Sequence, residues 1–142
     1  MSDGSWDKVL EDYKFAQEES WGEDLVWMEK LVLHLLENRD LSMLYPITSH
    51  YRLSAFIGKS FEEVYDKPSI RINLTYDNRE LTKDKYRFEF SLTTGYKDGD
   101  LYRQNKESVF CSFENSLEVF DEIFEKLKAA TTTSLTIYQR VD

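Results

Sequence analysis

The sequence predicts an α+β fold, in which helices pack on one face of an antiparallel sheet. Two observations predict it: apolar residues recur at helical spacing near both ends of the chain, and they alternate with polar residues in between. The chain has 142 residues, of which 41% are hydrophobic, and no linker or internal repeat divides it. A chain of this length buries a sizeable core, so residues 1–142 are predicted to form one α+β domain.

Two helices are predicted before the sheet. The first begins at Trp6, with Ser5 as its N-cap, and the second runs from about Glu23 to Asn38. The second helix is apolar over most of its circumference and therefore needs cover on more than one side. Two arrangements supply that cover: the helix is sandwiched between the first helix and the sheet, or it forms a homodimer interface.

Alternation of period two predicts the strands. Three strands are expected at residues 51–57, 70–76 and 86–93, and a fourth at residues 108–113, which together complete a four-stranded meander. The segment from Lys97 to Asp100 contains an Asp-Gly pair, which is typical of a hairpin turn.

A helix followed by a strand is predicted at the C-terminal end. Asn115 stands at an N-cap position with Glu118 three residues later, and apolar residues then recur on one helical face. Threonines follow, and the alternation from Leu135 to Tyr138 predicts a final edge strand, with a frayed tail as the alternative.

Motifs for catalysis or for cofactor binding are absent from the sequence. It contains no metal-ligand spacing and no glycine-rich phosphate loop, so we predict neither a metal nor a cofactor, and an enzyme is disfavoured. His50 stands where a loop enters a strand, but pairing with Cys111 would require the thiol to leave the core. Cys111 lies in an apolar run and is predicted to be buried.

The charge of the chain limits its partners. A formal net charge of −9 opposes direct binding to nucleic acid or to an anionic membrane, and it permits a basic protein partner. The alternative is that the acidity serves solubility alone. One cysteine, an acidic N-terminus without a targeting signal and no apolar run of roughly 20 residues predict a cytoplasmic protein.

Polar positions of the predicted strands supply a candidate binding surface. The same alternation that buries the apolar residues places short polar residues and arginines together on the opposite side of the sheet, where they could bind an anionic or peptide ligand. The main candidates are Arg52, Arg71, Asn73, Arg87 and Glu89, with Thr75, Ser91 and Thr93 beside them. The alternative is an ordinary solvated sheet with cross-strand Arg–Glu pairs.

Two functions from different classes fit these observations. The first is a small protein-binding module, such as an inhibitor of the immunity type or a chaperone, whose aromatic anchors would be Trp6, Trp21, Tyr96 and Tyr102. The second is a ligand-binding or enzymatic domain with a pocket between the sheet and the helices, lined by His50, Tyr51, Tyr76 and Tyr86.

Overall fold

The computed structural model describes residues 5–18, 25–49, 52–64, 67–76, 86–98 and 101–141, and within them it has three long helices and a five-stranded sheet. The helices are α1 (Trp6–Gln17), α2 (Val26–Asn38), the short α3 (Phe61–Val64) and α4 (Ser116–Val141). The strands are β1 (Leu44–Ser49), β2 (Arg52–Ile57), β3 (Ser69–Tyr76), β4 (Tyr86–Asp98) and β5 (Leu101–Cys111). The predicted α+β class is confirmed.

The first two helices lie close to their predicted positions. Ser5 caps α1 as expected, because its Oγ accepts a hydrogen bond from the backbone N–H of Asp7 at 3.1 Å. Helix α2 contacts α1, β3 and α4, so its broad apolar surface is covered by other parts of the same chain. The homodimer through α2 stays a prediction.

The sheet is an antiparallel meander in the order β1-β2-β3-β4-β5, one strand more than the four predicted. The additional strand is β1, whose Pro46 pairs with Ala55 of β2. Proline cannot donate a backbone hydrogen bond and therefore reads as a strand breaker in a sequence. An edge strand tolerates it, and β1 is at the edge of the sheet.

The hairpin of β4 and β5 is longer than the sequence predicted. Pairing continues to Asp98 and Leu101, on either side of residues 99 and 100, so β4 extends past residue 93 and β5 begins at Leu101. The fourth strand also ends at Cys111, and Phe113–Asn115 form a 3-10 turn before α4. The predicted strand at residues 108–113 was therefore misplaced at both ends, because cross-strand pairing and not apolar alternation sets its length.

The final edge strand at Leu135–Tyr138 is wrong, because the backbone stays helical to Val141. Threonine favours strands through its branched Cβ, but in a helix its hydroxyl can bond to the carbonyl one turn earlier. Thr131 Oγ1 donates to the Leu127 carbonyl at 2.8 Å, and Thr132 Oγ1 donates to the Lys128 carbonyl at 3.1 Å. Local bonds of this kind fit a helix that continues through the threonine run.

The core lies between the helices and one face of the sheet. Buried residues of β2, β3 and β4 pack against those of α1, α2 and α4: Leu53, Ala55, Ile70, Ile72, Phe88, Phe90 and Leu92 on the sheet, and Val9, Tyr13, Met28, Leu31, Val32, Leu35, Phe120, Ile123 and Leu127 on the helices.

Arg39, which follows α2, donates from Nε and Nη2 to both carboxylate oxygens of Asp121 at 2.7 Å and so joins α2 to α4. No helix within the described residues is both long and apolar enough to cross a bilayer.

Candidate binding surface on the open face of the sheet

The face of the sheet that points away from the core carries the polar side chains. Residues opposite each other in antiparallel strands share a face, and the register places Ser54, Arg71, Ser91 and Ser108 in one row across four strands. Neighbouring rows on the same side follow at every second residue. We call the part of this surface on β2 to β5 the open face; its described side chains are Arg52, Ser54, Phe56, Ser69, Arg71, Asn73, Thr75, Arg87, Glu89, Ser91, Thr93, Lys106, Ser108 and Phe110. Beside it on the same side of the sheet lie Tyr45, Ile47 and Ser49 of β1.

All five main candidates from the sequence lie on the open face. Asn73 pairs with Glu89, and Arg71 is two residues before Asn73 on the same strand. Arg52 is two residues before Ser54, and Arg87 lies opposite Thr75. The alternation therefore placed these residues correctly on one surface, although their role in binding is a separate question.

Glu89 is the centre of a hydrogen-bond network on the open face. Its Oε2 lies 3.2 Å from Nζ of Lys106, and its Oε1 accepts a hydrogen bond from Nδ2 of Asn73 at 3.4 Å. Ser108 also bonds to Glu89, and its Oγ lies 2.9 Å from Oγ of Ser91. Burial raises the pKa of Glu89, but these hydrogen bonds and the charge of Lys106 outweigh burial, so the pKa lies below its ordinary value of 4.5.

The ionised form of Glu89 is therefore expected to stabilise the fold above about pH 4.5. Because the pKa in the folded state is lowered, this contribution is lost as the pH falls through that pKa. Glu89→Gln should lower the free energy of unfolding by about 1 kcal/mol at pH 7 and by much less near pH 3, measured by urea denaturation.

A matched control for this prediction is Glu107→Gln on the adjacent strand β5. The Glu107 side chain is 65% exposed and pairs with Lys126 at 3.5 Å, so its removal should change stability little at either pH. Equal effects of the two substitutions at both pH values would contradict the role assigned to Glu89.

Two buried polar atoms on the open face have no hydrogen-bond partner among the described residues. They are Oδ1 of Asn73 and Oγ1 of Thr93. Thr93 is 6% exposed, and Ser91 beside it is fully buried. An unpaired buried polar group costs about 1–3 kcal/mol, so these atoms are places where an external hydrogen-bonding group would be favourable.

The arginines of the open face differ in their surroundings. Arg52 is exposed and Arg71 is half-buried, and within the described part of the chain neither forms an ion pair. Arg71 lies between Ser54 and Ser91 on the adjacent strands, which supply short hydroxyl side chains and no carboxylate. Both guanidinium groups are therefore available to an anionic group from outside the chain.

Charge is divided between the two layers of the molecule. The described side chains of the open face include four basic residues and one acidic residue, and the acidic one, Glu89, is paired with Lys106. Most of the exposed acidic residues that the structure describes lie on the helices, most densely on the outer surface of α4: Glu118, Asp121, Glu122 and Glu125. The net charge of the chain thus conceals a basic open face.

Of the four predicted aromatic anchors, the structure describes the side chain of Trp6 alone. Trp6 is half-buried against the core, and its Nε1 has no partner among the described residues. Trp21 and the side chains of Tyr96 and Tyr102 lie outside the described residues. Phe110 is 60% exposed on the open face, across from Glu89. Val109, Phe110 and Cys111 are all apolar, so residue types alone do not show which of the three is exposed; the register of β5 does.

A groove of about 350 Å³ lies between α1 and β1 at the edge of the sheet. Tyr45 and Phe61 contribute to its lining, and the Asp12 carboxylate lies in it. That carboxylate accepts a hydrogen bond from Oγ1 of Thr48 at 2.9 Å and lies 3.2 Å from Nζ of Lys8. Both of its oxygens are therefore occupied by groups of the same chain.

The pocket predicted from the sequence between the sheet and the helices stays a prediction. His50 and Tyr51 lie outside the described residues, as do the side chains of Tyr76 and Tyr86. Among the described residues, no three histidine, cysteine, aspartate or glutamate side chains form a group that could hold a metal ion.

Comparison of the chain with models of protein families, with curated proteins and with solved structures finds no match to any of them.

Proposed function

We propose that this chain is a protein-binding module and that the open face of its sheet contacts the partner. The observation that carries the proposal is a pair of buried atoms on this face, Asn73 Oδ1 and Thr93 Oγ1, that have no hydrogen-bond partner among the described residues. They lie near Arg52 and Arg71, for which no ion pair is described. A face that served solvation alone would not need to bury these groups, because water satisfies polar side chains most readily when they are exposed.

The composition of the open face supports a protein partner. Exposed Phe110 supplies an aromatic ring, Arg52 and Arg71 supply planar donors, and the serines between them leave room for an approaching chain. Aromatic residues and arginine are enriched among the residues that dominate protein–protein binding. An inhibitor of the immunity type and a chaperone are two forms that such binding takes.

The groove between α1 and β1 is the feature that a small-ligand-binding function would use. Its carboxylate is already paired with Lys8 and Thr48, whereas Asn73 Oδ1 and Thr93 Oγ1 of the open face have no partner among the described residues. We therefore favour the open face as the binding surface.

The test is affinity capture from the native host with two matched baits. Ser54→Tyr places a large ring on the open face directly beside Arg71, and Ser42→Tyr makes the same change at an exposed position in the turn before β1. Tyrosine suits the strand at residue 54, and a substitution at the exposed turn position 42 changes stability little, so both variants are expected to fold. A partner captured by the wild type and by Ser42→Tyr should bind the Ser54→Tyr variant at least about tenfold more weakly once purified.

Circular dichroism and a urea titration of each bait confirm that the variants are folded before capture. The proposal fails if no protein is enriched specifically, or if the purified partner binds the Ser54→Tyr variant as tightly as it binds the wild type.

A further inference from the structure

We infer that the open face recognises an acidic segment of its partner, with Arg52 and Arg71 as the residues that bind the carboxylates. This inference rests on the proposed function and adds the chemistry of the partner. It differs from the expectation drawn from the net charge, which permits a basic partner.

The arginines of the open face are suited to bind carboxylates. A guanidinium group binds a carboxylate through two parallel N–H···O bonds, and such charge-assisted bonds are about twice as strong as neutral ones. Arg71 is half-buried and has Ser54 and Ser91 as its cross-strand neighbours. The guanidinium group of Arg71 is thus partly shielded from water, and no described carboxylate forms an ion pair with it. An incoming carboxylate would therefore interact with it more strongly than with a fully solvated charge.

The buried oxygen atoms beside the arginines require hydrogen-bond donors as well. Asn73 follows Arg71 by two residues on the same face, and its Nδ2 already donates to Glu89, which leaves Oδ1 in need of a donor. Thr93 lies in the row on the other side of Arg71, opposite Ser69, and its Oγ1 has no partner among the described residues. A polypeptide offers backbone N–H donors beside its carboxylates, whereas a fully ionised inorganic anion offers acceptors only. A peptide therefore satisfies both kinds of group.

The distance between Arg71 and Phe110 fits an extended peptide. Arg71 is on β3 and Phe110 is on β5, two strand spacings across and two residues along, which corresponds to about 12 Å. An extended chain rises about 3.3 Å per residue and every second side chain points to the same side, so an acidic and an apolar residue about four positions apart could contact both. Glu89 lies between them, but Lys106 at 3.2 Å compensates its charge.

The distribution of charge on the molecule favours an acidic segment over a basic one. A basic segment would meet Arg52, Arg71 and Arg87 on the open face, and like charges brought together at an interface are unfavourable. The exposed carboxylates of α4 are the surface that a basic segment would contact instead. Acidic residues in the partner match the open face, and basic residues do not.

The experiment selects phage-displayed random peptides on the immobilised full chain and measures the binding of selected peptides by fluorescence anisotropy. We expect the selected peptides to be enriched in aspartate and glutamate. Their affinity should fall at least about tenfold for the Arg52→Gln, Arg71→Gln double variant. The matched control is the Lys8→Gln, Lys128→Gln double variant, which removes two positive charges from the helices and should bind as the wild type does.

Three results would overturn the inference: no peptide is enriched, the selected peptides are neutral or basic, or the arginine double variant binds acidic peptides unchanged. Displacement of a selected peptide by inorganic phosphate at equal concentration would assign a free anion to the site and would also overturn it.

The Ser54→Tyr variant separates this outcome from failure of the proposed function. Neutral peptides whose binding is lost in Ser54→Tyr would leave the open face as the binding surface and remove only its preference for acidic segments. Selected peptides that bind Ser54→Tyr unchanged would remove the surface itself.

Discussion

Replacing Phe90 with alanine is expected to lower the free energy of unfolding by about 3–5 kcal/mol. Phe90 is fully buried on β4, and its cross-strand neighbours Ile72 and Val109 belong to the same core. Truncation removes the buried ring and leaves a cavity that the packed strands can fill only in part. Urea denaturation followed by circular dichroism measures the change.

Phe110 provides the matched control, because it is on the adjacent strand but is 60% exposed on the open face. Phe110→Ala should change stability by less than about 1 kcal/mol. If the Phe90→Ala variant does not fold, Phe90→Leu supplies a smaller truncation whose cost should still exceed that of Phe110→Ala. Equal costs at the two positions would show that the described core is wrong.

Cys111 is expected to react with a thiol reagent such as DTNB about 100-fold more slowly than an exposed cysteine at pH 7.5. The residue is 7% exposed at the end of β5, where burial raises the pKa of the thiol to about 11 against the smaller, opposing effect of Arg87. Compared with a cysteine at the ordinary pKa of 9.0, the thiolate fraction at pH 7.5 is roughly 100-fold lower.

The control for this measurement moves the thiol to the surface. A Cys111→Ala, Ser42→Cys variant carries its cysteine in the exposed turn before β1 and should react at the rate of a free thiol. Wild-type protein in urea should react at a similar rate, because unfolding exposes Cys111. A native wild-type rate as fast as that of the surface cysteine would contradict the burial of Cys111.

The strands and the open face could be predicted because a single physical pattern determines both. Alternation that buries Ile70, Ile72 and Phe90 necessarily places Arg71 and Glu89 on the other side of the sheet. The burial of Cys111, which was predicted from the apolar run around it, is confirmed. Residue types and period were sufficient for these features because they are local properties of the chain.

The features that the sequence did not predict depend on interactions between elements. Pro46 obscured β1, which is acceptable only because that strand is at the edge of the sheet. The threonines of α4 suggested a strand, since propensity does not show that their hydroxyls can bond to helix carbonyls. The pairing of Glu89 with Lys106 required the register of β4 and β5, which only the assembled hairpin defines.

The division of charge between the sheet and the helices also has a kinetic consequence. A molecule that is basic on one side and acidic on the other has an electric dipole moment, and the field of a charged partner exerts a torque on it during diffusion. An acidic partner would rotate the open face towards itself before contact, which raises the fraction of collisions that are productive. The same field turns the acidic outer surface of α4 away from that partner, so the carboxylates of the helices contribute to orientation without touching the interface.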